Sequence, residues 1–174
     1  MTHPRYIPAD YDTDKAAQAV HRVLDNLKIN YAEVQHTPIF TVEQAKATHI
    51  NLPGLGCKSI LLRTKKRDYY ALVLLRDDRR ADTRAIAQQV DCAHLSFASP
   101  EELMEHLGLY PGTVSPFGII NDHNNTVKIL IDPTLVDEQL LFHPNANNRT
   151  ISIAYSDLIK FMVHTGHSYQ ILQQ

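Results

Sequence analysis

A stretch rich in glycine and proline, GLYPGTVSPFGIIN at residues 108–121, most restricts how this chain can fold. Glycine permits positive φ and close backbone approach, whereas proline fixes φ and lacks an N–H donor, so the stretch cannot continue as a regular α-helix or a central strand. It predicts a stiff loop whose backbone N–H groups could grip a small polar group such as an ester carbonyl. By spacing alone, an ordinary helix-to-strand connector is the commoner explanation.

Composition limits the class of protein. The 174 residues suit a single domain spanning the whole chain, with residues 1 to about 11 as a loose N-terminal arm. No apolar run is long enough to span a membrane, and the N-terminus lacks the apolar segment of a secretion signal. Cys57 and Cys92 form no disulfide framework, which favours a reducing cytoplasm. A net charge of −2 argues against a DNA-binding coat, so any contact with nucleic acid has to be local.

Helices and strands alternate without a regular βαβ rhythm, which predicts an α+β fold with a mixed, largely antiparallel sheet. Two apolar runs joined by a charged turn predict a hairpin, and the second run should be buried on both faces. Ser99, followed by proline and two glutamates, predicts a capped helix that ends at Gly108. The predicted strands are 31–36, 58–64, 69–75, 95–97, 126–132, 140–145, 150–154 and 168–172. Four predicted helices follow Asp12 or Thr13, Thr41, Ser99 and Ser156. Residues 76–90 are predicted to pass from a charged loop into a further helix with Ala85, Ile86 and Val90 on its apolar side, and residues 50–56 are predicted as a loop.

Four segments occur in a specific order along the chain. They are CKSILLR at 57–63, LSFASPEEL at 95–103, PGTVSPFGIIND at 111–122, and LFHP at 141–144 followed by TISI. In this order the chain resembles the YbaK-like prolyl-tRNA editing deacylases, and most of all the free-standing branch that removes alanine from proline tRNA. The resemblance implies a compact, partly barrel-like mixed sheet flanked by helices. It also implies hydrolysis of the ester between a wrong amino acid and the terminal adenosine of tRNA, with no metal and no organic cofactor.

The resemblance also implies the site. Lys58 matches the family's functional lysine and would pair with the terminal phosphate or ribose, Gly112 begins its Gly-x-x-x-Pro loop, and His143 matches a histidine near the end of a later strand. These three residues are the candidate catalytic residues. Ser59 stands where this branch often has asparagine, which is larger and has one more donor. The candidate substrate-binding residues are Ser59, Thr113, Val114, Ser115, Pro116, Phe117 and Gly118.

The residues themselves favour direct attack by water over a covalent intermediate. Ser115 lacks the Gly-x-Ser-x-Gly elbow and the spaced acid and histidine of a triad. Both cysteines are expected to be small, partly buried residues, and His164 and His167 lack a third ligand for zinc. The amides of residues 112–115 are the predicted frame for the developing oxyanion. Taken without the resemblance, Lys58 and His143 are more often a solvated strand end and a core histidine.

Substrate and partners follow from size and charge. Alanine is smaller than proline, so a synthetase pocket cannot exclude it by shape, and a second, smaller site is needed. Candidate walls of that pocket are Ile60, Val114, Phe117 and Ile119, and two basic clusters at 65–67 and 76–84 could contact tRNA phosphates. The expected partner is the acceptor end of aminoacylated tRNA(Pro), with prolyl-tRNA synthetase as a candidate transient partner. Two alternatives stay open: a deacylase for cysteine or another small aminoacyl group, and a non-catalytic module that binds aminoacyl-tRNA or an amino acid.

Overall fold

The computed structural model describes residue 8 and residues 10–173, so most of the predicted arm at 1–11 lies outside the described residues. The helices are α1 (Thr13–Asn26), α2 (Val42–Thr48), α3 (Thr83–Gln89), α4 (Pro100–Leu107) and α5 (Tyr155–His164), with short 3₁₀ helices at Pro116–Asn121 and Pro133–Leu135. The strands are β1 (Tyr31–Gln35), β2 (Leu55–Arg63), β3 (Tyr70–Arg76), β4 (Ser96–Phe97), β5 (Val127–Ile131), β6 (Gln139–Phe142), β7 (Arg149–Ala154) and β8 (Tyr169–Ile171).

The described strands form one mixed sheet in the order β1-β7-β6-β2-β3-β5-β8, with β4 paired to β2. Neighbours are antiparallel in β1–β7, β7–β6, β2–β3 and β2–β4, and parallel in β6–β2, β3–β5 and β5–β8. Helices cover the sheet, so the predicted α+β fold is confirmed. Among the described residues, no helix is long and apolar enough to cross a membrane.

Strand β2 joins the two halves of the sheet. Leu55 and Gly56 pair in parallel with β6, and residues from Cys57 onward pair with β3 in the predicted hairpin. The predicted loop at 50–56 was therefore wrong at its end, because pairing with a strand far along the chain extends β2 by three residues. As a result Lys58 lies within the strand rather than at its start.

Apolar side chains on both faces of the sheet account for the core. Every residue of β3 from Tyr70 to Leu75 is buried, as its unbroken apolar sequence predicts. One face packs under α1, α4 and α5, where the rings of Phe117 and Phe161 meet edge to face at 5.2 Å. The other face packs against Ile86 and Ala87 of α3.

The helix ends test the predictions from local sequence. Ser99 and Glu102 form the reciprocal capping box of α4, and Gly108 ends that helix with a φ of +62°. Helix α5, in contrast, begins one residue before the predicted cap at Ser156. Strand β7 runs directly into it at Ala154, and no side chain caps it.

Candidate active site

A cleft of about 490 Å³ opens where the start of β2 meets the end of β6, the loop at 111–114 and helix α2. Five of the predicted site residues line it. They are Lys58, Ser59, Gly112, Val114 and His143. Three segments that are far apart in sequence thus meet at one cavity. Its remaining lining residues are Ile39, Phe40, Thr41, Val42, Ala45, Lys46, His49, Ile50, Gly56, Cys57, Asp77, Leu141, Phe142 and Thr150.

Lys58 lies in β2 opposite Leu75 of β3. Its Nζ donates a hydrogen bond of 3.2 Å to the main-chain carbonyl of Asp77. An ammonium group has three donors, so this contact fixes the position of the group and leaves two donors for a ligand. A cation held in this way suits an anionic group such as a phosphate.

Ser59 lines the same cleft and carries an unusual polar atom. Its Oγ is fully buried, and it has no hydrogen-bond partner among the described residues. Buried hydroxyls almost always have a partner, because an unpaired one loses its hydration without compensation. The hydroxyl of Ser59 is therefore an unpaired polar group held just beneath the surface of the cleft.

The loop at 111–114 forms one wall of the cleft. Gly112 has a φ of +94°, which strains any residue with a side chain, and a Cβ here would lie 3.2 Å from Cδ1 of Phe40, so that ring would have to shift slightly. Among the described residues, the N–H groups of Gly112 and Val114 have no acceptor. The N–H of Thr113, in contrast, donates to the carbonyl of Tyr110 at 2.9 Å. That amide was predicted to face the substrate, but the turn already uses it.

The other predicted substrate-binding residues of this loop do not line the cleft. Thr113, Ser115, Pro116, Phe117 and Gly118 are buried behind its wall, because the 3₁₀ helix that begins at Pro116 carries the chain into the core. The hydroxyl of Ser115 donates to Oδ1 of Asn145 at 2.7 Å and accepts from the N–H of Phe117 at 3.1 Å. These groups therefore support the loop from behind.

The glycine and the apolar residues of the 3₁₀ helix also serve packing. A Cβ on Gly118 would lie 2.6 Å from Cδ1 of Leu109, so a side chain there would displace the core. Of the predicted pocket walls, Val114 alone lines the cleft. Phe117 and Ile119 are buried in the core, and Ile60 packs on the α3 side of the sheet.

His143 follows β6 and borders the cleft in its neutral form. Its Nδ1 donates to the main-chain carbonyl of Arg149 at 2.8 Å, because a carbonyl can only accept. Burial lowers the pKa of His143, the hydrogen bond to Arg149 opposes this in part, and the nearby imidazole of His36 lowers it further. A neutral imidazole protonated at Nδ1 leaves a lone pair on Nε2 as a proton acceptor.

A second histidine stands behind the first and was missed by the sequence reasoning. Nδ1 of His36 donates to the carbonyl of Thr37 at 2.8 Å, so its Nε2 accepts from the hydroxyl of Thr150 at 2.9 Å. The rings of His36 and His143 lie 5.8 Å apart. Thr150 itself lines the cleft. No local signal could have predicted the hydrogen bond between His36 and Thr150, because these two residues are 114 positions apart in the chain.

Helix α2 and Asp77 were also missed as parts of the site. Helix α2 has no fully buried residue and resembles an ordinary surface helix. Val42, Ala45 and Lys46 nevertheless line the cleft. Asp77 belongs to a run of charged residues that reads as a solvated loop.

Neither cysteine chemistry nor a metal centre fits this cleft. Burial raises the pKa of Cys57 to about 12, so its thiol stays protonated and is a poor nucleophile. Among the described residues, no group of three histidine, cysteine or acidic side chains is placed to hold a metal ion. His167, one of the two histidines near the C-terminus, is buried and pairs with Asp122 at 3.0 Å.

Comparison with known proteins agrees with this arrangement. A family model described as the aminoacyl-tRNA editing domain matches residues 36–161, a range that includes every lining residue of the cleft. The chain belongs to this family. The predictions of an editing domain and of an aminoacyl-tRNA deacylase are thereby confirmed.

Relatives and solved structures extend the match over nearly the whole chain. The prolyl-tRNA editing protein ProX of Acetoanaerobium sticklandii is 34% identical over 91% of this chain and 97% of its own length. The prolyl-tRNA synthetase associated domain-containing protein 1 of Bos taurus is 30% identical over 88% of this chain and 92% of its own. A solved structure described as a candidate trans-editing enzyme for prolyl tRNA synthetase shares the fold, with a TM-score of 0.67, 21% identity, and coverage of 91% and 97%.

Proposed function

We propose that this editing domain hydrolyses alanine from mischarged tRNA(Pro), acting as a separate protein in trans. One observation carries the proposal. The cleft gathers a lysine ammonium, two unpaired loop amides and a neutral histidine around one partly apolar cavity. These are the groups that an ester of a small amino acid on a tRNA end requires. The names of ProX and of the synthetase-associated relative support the choice of the proline system.

The reaction divides among these groups as follows. The ammonium of Lys58 binds the terminal phosphate or ribose and so fixes the ester in the cleft. A water molecule adds its oxygen to the carbonyl carbon, and the amides of Gly112 and Val114 donate to the oxygen that becomes negative. The ester C–O bond then breaks, one proton of the attacking water passes to the ribose oxygen, and the other is released to solvent as the amino acid leaves as its carboxylate.

His143 assists by holding a proton acceptor at the edge of the cleft. Its Nε2 lone pair accepts a hydrogen bond from the attacking water or from the neighbouring ribose hydroxyl, which orients that group. Because burial lowers the pKa of His143, the lone pair is retained at neutral pH and somewhat below. Protonation of the ring at lower pH removes the acceptor.

Selection of alanine depends on the size of the apolar part of the cleft. Ile39, Val42, Val114 and Leu141 are among its aliphatic lining residues. A site that admits alanine and excludes proline gains selectivity from steric overlap, whereas a synthetase pocket discriminates against a missing methylene by only about 1–3 kcal/mol. Cysteine, which is close to alanine in size, is the competitor that the assay must include.

Deacylation of alanyl-, cysteinyl- and prolyl-tRNA(Pro) tests the proposal, with the wild type beside Lys58→Ala. We expect rapid loss of alanine alone, and a decrease of about 100-fold in Lys58→Ala because the ester is no longer held in place. Lys128→Ala, which removes an exposed lysine of β5 that does not line the cleft, is the matched control and should keep full activity.

The other outcomes are equally informative. Preferred loss of cysteine keeps the hydrolase and contradicts the choice of alanine. Binding of aminoacyl-tRNA without turnover on any of the three contradicts hydrolysis of these substrates and favours the binding module.

A further inference from the structure

Asp77 is the acidic residue of the cleft. Among the lining residues that the structure describes, it alone carries a carboxylate, whereas Lys58 and Lys46 are cations. It follows the last residue of β3, and it sits beside the strand that carries Lys58 and Ser59. No role was predicted for it.

The position of Asp77 is fixed on both sides. Its main-chain N–H donates to the carbonyl of Gly56 at 2.9 Å, and its main-chain carbonyl accepts from Nζ of Lys58 at 3.2 Å. Its side chain lies directly over Gly56, since a Cβ on that glycine would come within 2.4 Å of Oδ2. The absence of a side chain at Gly56 is therefore what leaves room for the carboxylate in this position.

The carboxylate itself is unpaired. Within the described part of the chain, it accepts no hydrogen bond and lies within 4.0 Å of no basic nitrogen, including that of Lys58. Its neighbour Asp78, in contrast, is paired with Arg76 at 2.8 Å. A carboxylate that is held in a cleft by its backbone but left without a partner is placed to bind a cation from a ligand.

The substrate supplies one cation at this point. An aminoacyl-tRNA end has negative charge on its phosphates and a single positive charge, the α-ammonium, one carbon away from the ester carbonyl. The cleft has the complementary pattern, with lysines for the phosphates and one carboxylate for the ammonium. Resting on the proposed function, we propose that Asp77 binds the α-ammonium of the aminoacyl group and makes the enzyme selective for esters with a free amine.

This role differs from that of a general base. A base would act on water and would be needed for every ester. A binding carboxylate contributes only when the substrate carries the ammonium. Comparing two substrates that differ at this one group therefore separates the two roles.

The test uses alanyl-tRNA(Pro) and lactyl-tRNA(Pro), in which a hydroxyl replaces the amine, with wild type and Asp77→Asn. We expect the substitution to lower kcat/KM for the alanyl ester about tenfold, and for the lactyl ester less than about twofold, since only the charge-assisted contact is lost. The intrinsic difference in reactivity between the esters cancels, because each substrate is compared with itself across the two proteins.

Two further variants strengthen the comparison. Asp78→Asn removes an adjacent carboxylate that lies outside the cleft, and it should leave both rates unchanged. Gly56→Ala forces the carboxylate of Asp77 away, and it should reproduce the selective loss on the alanyl ester. Thermal melting checks that each variant is folded.

An equal loss on both esters in Asp77→Asn, or no loss on either, overturns the inference. Failure of the wild type to cleave alanyl-tRNA(Pro) contradicts instead the proposed function, so the two failures are distinguishable.

Discussion

Polar groups near the two ends of the β2–β3 hairpin differ in whether they have hydrogen-bond partners. At the end near the turn, the buried carboxylate of Glu102 accepts from Arg63 at 3.3 Å, from Arg67 at 3.0 Å and from the hydroxyl of Tyr70 at 3.1 Å. At the other end, the hydroxyl of Ser59 and the carboxylate of Asp77 have no partner among the described residues. Along this pair of strands, the polar groups near the turn are thus paired, whereas those at the opposite end are not.

The difference separates stability from function along one structural element. Burial opposes ionisation of Glu102, but hydrogen bonds from the N–H of Ser99, from Tyr70 and from Arg63 outweigh it and hold its pKa below the usual value. A network in which every member is paired stabilises the fold. Unpaired groups at the cleft end cost stability, and a ligand in the cleft can pair with the carboxylate of Asp77.

The strongest test of the comparison is Glu102→Gln. Removing the charge leaves Arg63 partly buried without its ion pair, so we expect the free energy of unfolding to fall by about 3 kcal/mol. The deacylation rate of the folded protein at 25 °C should not change, because Glu102 does not line the cleft. Chemical denaturation and the deacylation assay measure the two effects on the same samples.

The stability lost in Glu102→Gln should depend on pH in a definite direction. A carboxylate whose folded pKa is lowered stabilises the protein above its unfolded pKa of about 4.3, and this stabilisation is lost as the pH falls through the lower folded value. The difference in the free energy of unfolding between wild type and Glu102→Gln should therefore be largest at pH 7 and shrink below about pH 4. Glu101→Gln, the exposed neighbour in the same turn, is the control and should leave stability almost unchanged. A fall in activity as large as the fall in stability would show that the two ends are not separate.

A smaller effect is expected from Gly112→Ala, which alters the cleft end alone. The Cβ would strain a φ of +94° and push against Phe40, so the amides of the loop would shift. We expect the deacylation rate to fall about tenfold, because a displaced donor loses much of its contact with the oxyanion.

The matched control for this substitution is Gly166→Ala. That glycine has a φ of +81° and borders Asn125 rather than the cleft. It should lower stability by a similar amount, about 1 kcal/mol, without changing the rate. Equal rates in Gly112→Ala and wild type would contradict the assignment of the loop as the oxyanion frame.

The smallest effect concerns the basic clusters, which the hairpin places at opposite ends. Lys66 lies in the turn of the hairpin, whereas Arg80 follows the end of β3, as Asp77 does. Both side chains are exposed. We expect Arg80→Ala to reduce the salt dependence of tRNA binding by about one unit of slope, and Lys66→Ala to leave it unchanged. Binding measured over a range of salt concentrations distinguishes them. The reverse result would place the tRNA at the turn end.

Much of the fold followed from local sequence. The apolar run of β3, the cap at Ser99 and the glycine at 108 each act over a few residues, so a linear pattern was enough to predict the hairpin and helix α4. Lys58, Gly112 and His143 were identified through an ordered set of motifs, and the structure brings all three to one cleft. Thr113 and Ser115 could not be assigned in this way, because only the path of the 3₁₀ helix decides which groups of that loop face the core.

The sequence by itself predicted that these strands and helices exist, because hydrophobic patterning and caps are short-range, and the order of four motifs along the chain identified the editing family. Only the tertiary structure decided that α2 forms a wall of the cleft, that Thr150 donates to His36, and that Asp77 lies over Gly56. Those relations depend on the pairing of β2 with β6, between residues more than 80 positions apart. Such contacts follow from how the whole sheet closes, and no local pattern encodes them.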